Sequence, residues 1–267
     1  KTAGTITTSH RYAGGIVGNA VDAENTITNC MSSVTISSSV GGDGTHGGLV
    51  AHVSSSTTTI SGCVFNGKLT GSSTTHCGGI VGWVVNGATL NIEDCLFAPS
   101  EVTFSTDNSA TFARQGTTAT VNMSNCYYAQ AFGDAQGTQA YTVQSGTTNL
   151  TLNYGNATTS YTYNGVMVYS FDQGSRVTAT GLLYNDTLYT GGTTKVTFTP
   201  NAPRGYIATN VKADGEALPD NGDGSYTLTM NSANVTITAD FTATITRIVE
   251  AADDWSTASK GWVFISS

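Results

Sequence analysis

Over roughly the first 130 residues the apolar positions return every 31–33 residues, far beyond the period of any single helix or strand. A glycine pair followed by an aliphatic pair occurs three times, in Gly14-Gly15-Ile16-Val17, Gly47-Gly48-Leu49-Val50 and Gly78-Gly79-Ile80-Val81. A second marker keeps the same step: Ile27-Thr28-Asn29-Cys30, Ile60-Ser61-Gly62-Cys63, Ile92-Glu93-Asp94-Cys95 and Met123-Ser124-Asn125-Cys126. Two independent markers on one period, carried by β-branched and small polar residues, predict a stack of β coils in which each coil buries its apolar side against its neighbours.

One coil can be followed from Gly47. Gly47-Gly48-Leu49-Val50 opens a buried strand that His52-Val53 continues, and Ser54 to Thr57 form a corner. Thr58 to Phe65 give a second strand, Asn66-Gly67 a turn, Lys68-Leu69-Thr70 a short third strand, and Gly71 to Thr75 close the circuit. Three short strands per coil predict a right-handed β-helix or β-solenoid of triangular section. Ile16, Leu49 and Ile80 then form one inward column, and Ile27, Ile60, Ile92 and Met123 another. The fourth coil reads as degenerate, with Phe112 to Gly116 at the place of a glycine pair, as terminal repeats commonly are. The solenoid is expected over 1–145.

From 146 to 245 the pattern changes to short alternating or β-branched runs, among them Ser160 to Tyr163, Gly165 to Tyr169, Arg176 to Ala179, Lys195 to Thr199, Ser225 to Met230 and Asn234 to Phe241. Strands at this density without a helical pattern predict a small β-sandwich or β-grasp-like module. Residues 246–267 read as a linker or the start of a further β module, and the chain as a piece of a longer, modular protein. The whole is expected to be all-β.

Charge alters the picture mainly by exclusion. Charged residues make up 10 % of the chain and the net charge is −8. Only Lys1, Arg11, Lys68 and Arg114 are basic in the first 142 residues, so no basic face for nucleic acid is expected. No apolar run is long enough to span a bilayer. Cys30, Cys63, Cys95 and Cys126 fall at one place in successive coils and predict a ladder of buried, reduced thiols, with Cys77 outside it. Cysteines one coil apart form a column, unlike the clustered ligands of a tetrahedral metal site, so no metal and no cofactor are expected.

The unit Gly-Gly-Ile-Val-Gly followed by Ile-x-Asn-Cys resembles the GLUG-type repeats of secreted and surface-anchored bacterial proteins, over about residues 1–130. The run Tyr226 to Phe241, with Met230-Asn231 ahead of Asn234-Val-Thr-Ile, resembles the end of bacterial surface repeats related to the internalin B-repeat, over about 175–245. These resemblances imply an extracellular or cell-surface location and a stalk, spacer or adhesive role, with host or dietary glycans or surface proteins as partners. Neither carries catalytic residues that transfer to this chain.

Candidate chemistry is sparse. Asp22, Glu24, Asp43, Glu93, Asp94, Glu101, Asp107 and Asp134 scatter over different corners, whereas a glycosidase or lyase needs convergent carboxylates. No catalytic residue is assigned, and a degenerate polysaccharide lyase is the least favoured reading. Aligning the coils on their glycine pairs puts Ala13, His46 and Cys77 on one level and Tyr12, Thr45 and His76 on another. The four histidines, His10, His46, His52 and His76, read as solvated turn residues. The glycine pairs, Gly14-Gly15, Gly47-Gly48 and Gly78-Gly79, read as structural, supplying positive φ or a crowded corner. Asp220-Asn-Gly-Asp-Gly224 reads as a hairpin turn ahead of a calcium loop. Asp186-Thr187-Leu188 matches a short bacterial O-glycosylation sequon. For binding, Asn19, His52 and Trp83 align just past the aliphatic pairs on an outward face, where an aromatic ring beside polar groups suits a sugar; the plainer reading is a single surface tryptophan. A non-catalytic adhesin-like or spacer segment is therefore expected, with a carbohydrate-binding accessory module as the alternative.

Overall fold

The computed structural model describes residues 1–54, 57–154, 157–163, 167–169, 177–178, 180–244, 246–247 and 264–265. Within these the chain is all-β without a helix, and its first part is a solenoid of about four turns. Ser55 and Ser56 of the expected corner, Gly165, Val166, Arg176 and Ala179 of two expected strands, and most of 246–267 lie outside the described residues. The chain divides into two compact units. The first is Lys1–Tyr141 with the described residues of 171–184 and Tyr189–Gly192; the second is the described residues of 142–170 and 193–267 with Asn185–Leu188.

Three parallel sheets build the solenoid. The first joins Val17–Ala20, Val50–Val53, Val81–Val84 and Ala113–Gln115, and the second joins Glu24–Thr28, Thr57–Ser61, Thr89–Glu93 and Thr120–Ser124. In the third, Met31–Ser38 pairs with Thr2–Thr8 on one side and with both Val64–Phe65 and Lys68–Thr70 on the other. Ile27, Ile60, Ile92 and Met123 lie in strict register. Ile60 and Ile92 are fully buried while Ile27 and Met123, at the two ends, are only half-buried. That gradient follows from nearest-neighbour stacking, since an inner coil is covered from both sides.

Two corners differ from the sequence expectation. Thr58 to Phe65 is not one strand: the chain turns at Gly62, and Asn29, Gly62, Asp94 and Asn125 all have φ between 48 and 61°. The left-handed region favours Gly, Asn and Asp, which explains why those residue types precede each ladder cysteine. Asn66-Gly67, by contrast, lies within one face of the solenoid, because the strands on either side of it pair with the same neighbour.

The glycine pairs do not have positive φ; that conformation falls two residues earlier, at Tyr12, Thr45, His76 and Asn108. Crowding is the reason for the glycines. A Cβ on Gly47 would collide with the Val50 carbonyl, and one on Gly48 would lie 2.6 Å from the Phe65 ring. Phe65 and Phe97 stack with centroids 5.9 Å apart, so Gly48 and Gly79 make room for these rings in the core, while a Cβ on Gly15 would meet the Ser32 side chain and the Gly48 carbonyl.

The fourth coil is less degenerate than its sequence suggests. Ala110, not Phe112, occupies the level of Gly14, Gly47 and Gly78. Phe112 instead extends the Ile16, Leu49 and Ile80 column: the Ile16, Leu49 and Ile80 amides each donate to the residue one coil on. In every inner coil two successive amides share one carbonyl, as Ile80 and Val81 share that of Phe112. At the last coil the side chain of Gln136 takes the carbonyl's place. Its Oε1 accepts from Phe112 N at 3.0 Å and Ala113 N at 2.8 Å, and its Nε2 donates to Ala113 O at 2.9 Å. A side-chain amide has the donor and acceptor of a peptide group, and here it caps the first sheet as a missing strand would.

Outside the third sheet, Val64 and Leu96 point away from the core yet are fully buried. Leu182 and Tyr184 cover them, and Tyr184 Oη lies 2.9 Å from Asn66 Nδ2 and 2.7 Å from Met31 Sδ. A segment well beyond the last coil thus belongs to the solenoid unit.

In the second unit Val235–Ala243 is central, parallel to Thr148–Tyr154 and antiparallel to Tyr206–Ala213. Lys195–Pro200 lies between Met167–Tyr169 and Tyr226–Thr229 in a three-stranded antiparallel sheet. Val196, Phe198, Val235, Ile237 and Phe241 are buried in alternation with exposed or half-exposed neighbours, the pattern of a small sandwich-like module.

Candidate functional site

Parallel register sets Asn19, His52 and Trp83 side by side on the outer face of the first sheet. Between Val81↔Ala113 and Val84↔Gln115 the register shifts, and Arg114 sits there with its guanidinium carbon 4.7 Å from the Trp83 ring centroid. The column therefore has four members, one per coil. Tyr12 flanks it: its ring meets that of His52 edge-on at 5.1 Å, and the Arg11 guanidinium lies 5.0 Å from the Tyr12 centroid.

Hydrogen bonds orient this row. His52 Nδ1 lies 2.8 Å from Asn19 Oδ1, an acceptor, so Nδ1 carries the proton and Nε2 is left as an acceptor. Burial, and then the nearby Arg11 cation, lower the His52 pKa and favour this neutral form. Arg11 Nη2 is 2.7 Å from Asp43 Oδ2, and Thr45 Oγ1 donates to Asp43 Oδ1 at 2.7 Å. Arg114 Nη1 donates to the carbonyls of His76 at 2.6 Å and Gly82 at 3.5 Å. Among the described residues Arg114 forms no ion pair, and burial is the main cause of its lowered pKa.

One turn away from this face the structure corrects the expectation of solvated histidines. His46 is fully buried. Its Nδ1 accepts from Ala13 N at 3.0 Å, so Nε2 carries the proton and faces Ser38 Oγ at 2.9 Å. Ser38 Oγ is 3.0 Å from Thr74 Oγ1, which donates to Val40 O at 2.8 Å. A general base for Ser38 needs an unprotonated nitrogen facing the hydroxyl; the backbone contact gives the opposite tautomer. The relay ties two coils together, and desolvation pushes the His46 pKa down to about 4. His10 is exposed and His52 and His76 half-exposed.

The ladder thiols are unbridged: Cys63, Cys95 and Cys126 are buried and Cys30 half-buried. Each donates to the carbonyl two residues before it, at 3.2–3.3 Å. Cys77 is buried and bonds in the same way to Thr75 O. Burial pushes the Cys77 and Cys126 thiols up to about 12.

The scattered acids do not gather into a site. Glu93 is exposed, Asp94 accepts from Asn125 Nδ2 at 3.1 Å, and Glu101 pairs with Lys68 at 2.9 Å. In the second unit Asp220 Oδ1 accepts from Gly222 N and Gly224 N, and Asp223 Oδ1 from Ser225 N, so one oxygen of each carboxylate is held within the turn. Asn185 and Asp186 both have positive φ, which puts the sequon-like Asp186 in a tight turn, with Leu188 buried. Among the described residues no group of three metal-ligating side chains occurs, and no helix is long and apolar enough to cross a membrane.

Sequence reasoning brought out Asn19, His52 and Trp83 but missed Arg114 and Tyr12. Arg114 was findable, since one period on from Trp83 lands on it. The shifted reading of the fourth coil hid it. No protein-family model, curated protein or solved structure matches the chain, so its function is argued from this geometry.

Proposed function

We propose that the chain is a non-catalytic, adhesin-like segment of a larger secreted or surface-displayed bacterial protein, with the solenoid as spacer and the first sheet's outer face as its contact surface. The observation that carries this reading is the in-register column of Asn19, His52, Trp83 and Arg114, which stays exposed or half-exposed. The outward apolar pair Val64 and Leu96 of the third sheet is instead covered by the chain itself. The resemblance of the repeat markers to GLUG-type repeats supports the surface location. A second reading, a carbohydrate-binding accessory module of a glycan-degrading protein, is favoured by Tyr12 and Trp83, whose rings flank polar groups on that face.

A glycan-array screen of the chain beside Trp83→Ala tests both. Saturable binding that the variant loses supports the contact surface and favours the second reading. Absence of binding by folded protein leaves the spacer role alone.

A further inference from the structure

We infer that the outer face of the first sheet binds an acidic oligosaccharide, with the sugar's carboxylate at Arg114. The inference rests on that face being a contact surface and names its ligand class.

Three observations point to this chemistry. The first is the set of hydrogen-bonding groups left over. Among the described residues Asn19 Nδ2 and Trp83 Nε1 donate to nothing, His52 Nε2 accepts from nothing, and Arg114 has Nε and Nη2 without a protein partner. The row thus reads donor, acceptor, donor, then a charged fork. Hydroxyl groups serve donors and acceptors alike, which suits the polar part of the row to a sugar. A simple anion would leave His52 Nε2 unmet.

The second is charge. Of the solenoid's basic side chains, Arg11 is paired with Asp43 and Lys68 with Glu101. Arg114 is half-buried, donates only to neutral carbonyls, and is held in place by them and by the Trp83 ring; Asp43, the carboxylate whose charge reaches it, is already paired with Arg11. A guanidinium in this state offers a planar, two-donor edge that matches a carboxylate. The third is spacing. Four successive parallel strands extend the row by about 14 Å, close to the length of a trisaccharide, with the indole face of Trp83 and the ring of Tyr12 as apolar surfaces alongside.

Titration calorimetry with 3′-sialyllactose and with a galacturonate trimer, each beside its neutral counterpart (lactose and the methyl-esterified trimer), tests the inference. At least one acidic sugar is expected to bind saturably and about tenfold more tightly than its neutral counterpart, as one charge-assisted hydrogen-bond pair would give. Arg114→Gln should remove that preference while Arg114→Lys keeps part of it. Trp83→Ala should weaken acidic and neutral sugars alike, and circular dichroism would establish that each variant folds. Equal affinity for acidic and neutral sugars, or an undiminished preference in folded Arg114→Gln, overturns the inference and leaves the contact surface standing. Failure of every sugar to bind overturns the inference, and the contact surface falls with it only if the glycan array is blank as well.

Discussion

Gln136 and His46 show how single side chains replace backbone interactions in this stack. Removing the Gln136 amide with Gln136→Ala leaves the Phe112 and Ala113 amides without their shared acceptor, which should cost about 1–3 kcal/mol. Gln136→Glu restores the acceptor but sets a carboxylate oxygen against Ala113 O, where Nε2 now donates. It should therefore rescue little, and urea unfolding of the three proteins would rank them. His46 makes a pH prediction. The folded chain holds its pKa near 4, whereas an unfolded chain takes up the proton near 6.5, so proton uptake favours unfolding as pH falls between those values. As far as His46 is concerned, stability should be level between pH 7 and 8 and decline by about 3 kcal/mol between pH 6.5 and 4. Most of the slope above pH 5 should go in His46→Asn, leaving the smaller contribution of His52, whose pKa is also lowered, as read from denaturant midpoints across that range.

At the scale of the coil, the period was legible because the residues that make it are the ones the geometry leaves no choice about. A Cβ at Gly48 meets both the Gly79 carbonyl and the Phe65 ring; Gly48→Ala should lower the melting temperature far more than Gly41→Ala, where the added methyl enters open space. The residue before each ladder cysteine was equally legible, since its left-handed backbone selects Asn, Asp or Gly. Other features left no such mark. Tyr12 and Thr45 take the same backbone conformation without being residues that favour it, so nothing in their identity pointed to a corner. Phe112 was misplaced because Ala110 and Thr111 stand where glycines were sought, at the last full coil. There Gln136 and the short segment around it, not another full coil, lie against the core. Of the candidate face, the strand pairing of Asn19, His52 and Trp83 followed from counting residues. The edge-on contact with Tyr12 depended on how the corner turns, which counting does not give.

At the scale of the molecule, each coil of the solenoid is stabilised chiefly by the coils on either side, and the pairings between successive coils span about one period. Loop-closure entropy is therefore nearly the same for each added coil, and the solenoid should unfold as a graded series rather than by one concerted step if an inner coil is weakened. Ile60→Ala, at the fully buried middle of its column, is expected to cost about 2–5 kcal/mol and to broaden the unfolding transition in calorimetry; Ile27→Ala, half-buried at the end, should do less of both. The Gln136 cap has a further consequence for the order of synthesis. A growing chain emerges from its first residue, so the pairing edge of the fourth coil is made before the side chain that closes it. During that interval the edge is a template for any neighbouring chain at the same stage. Chains halted just short of Gln136 should associate with one another where the finished chain does not.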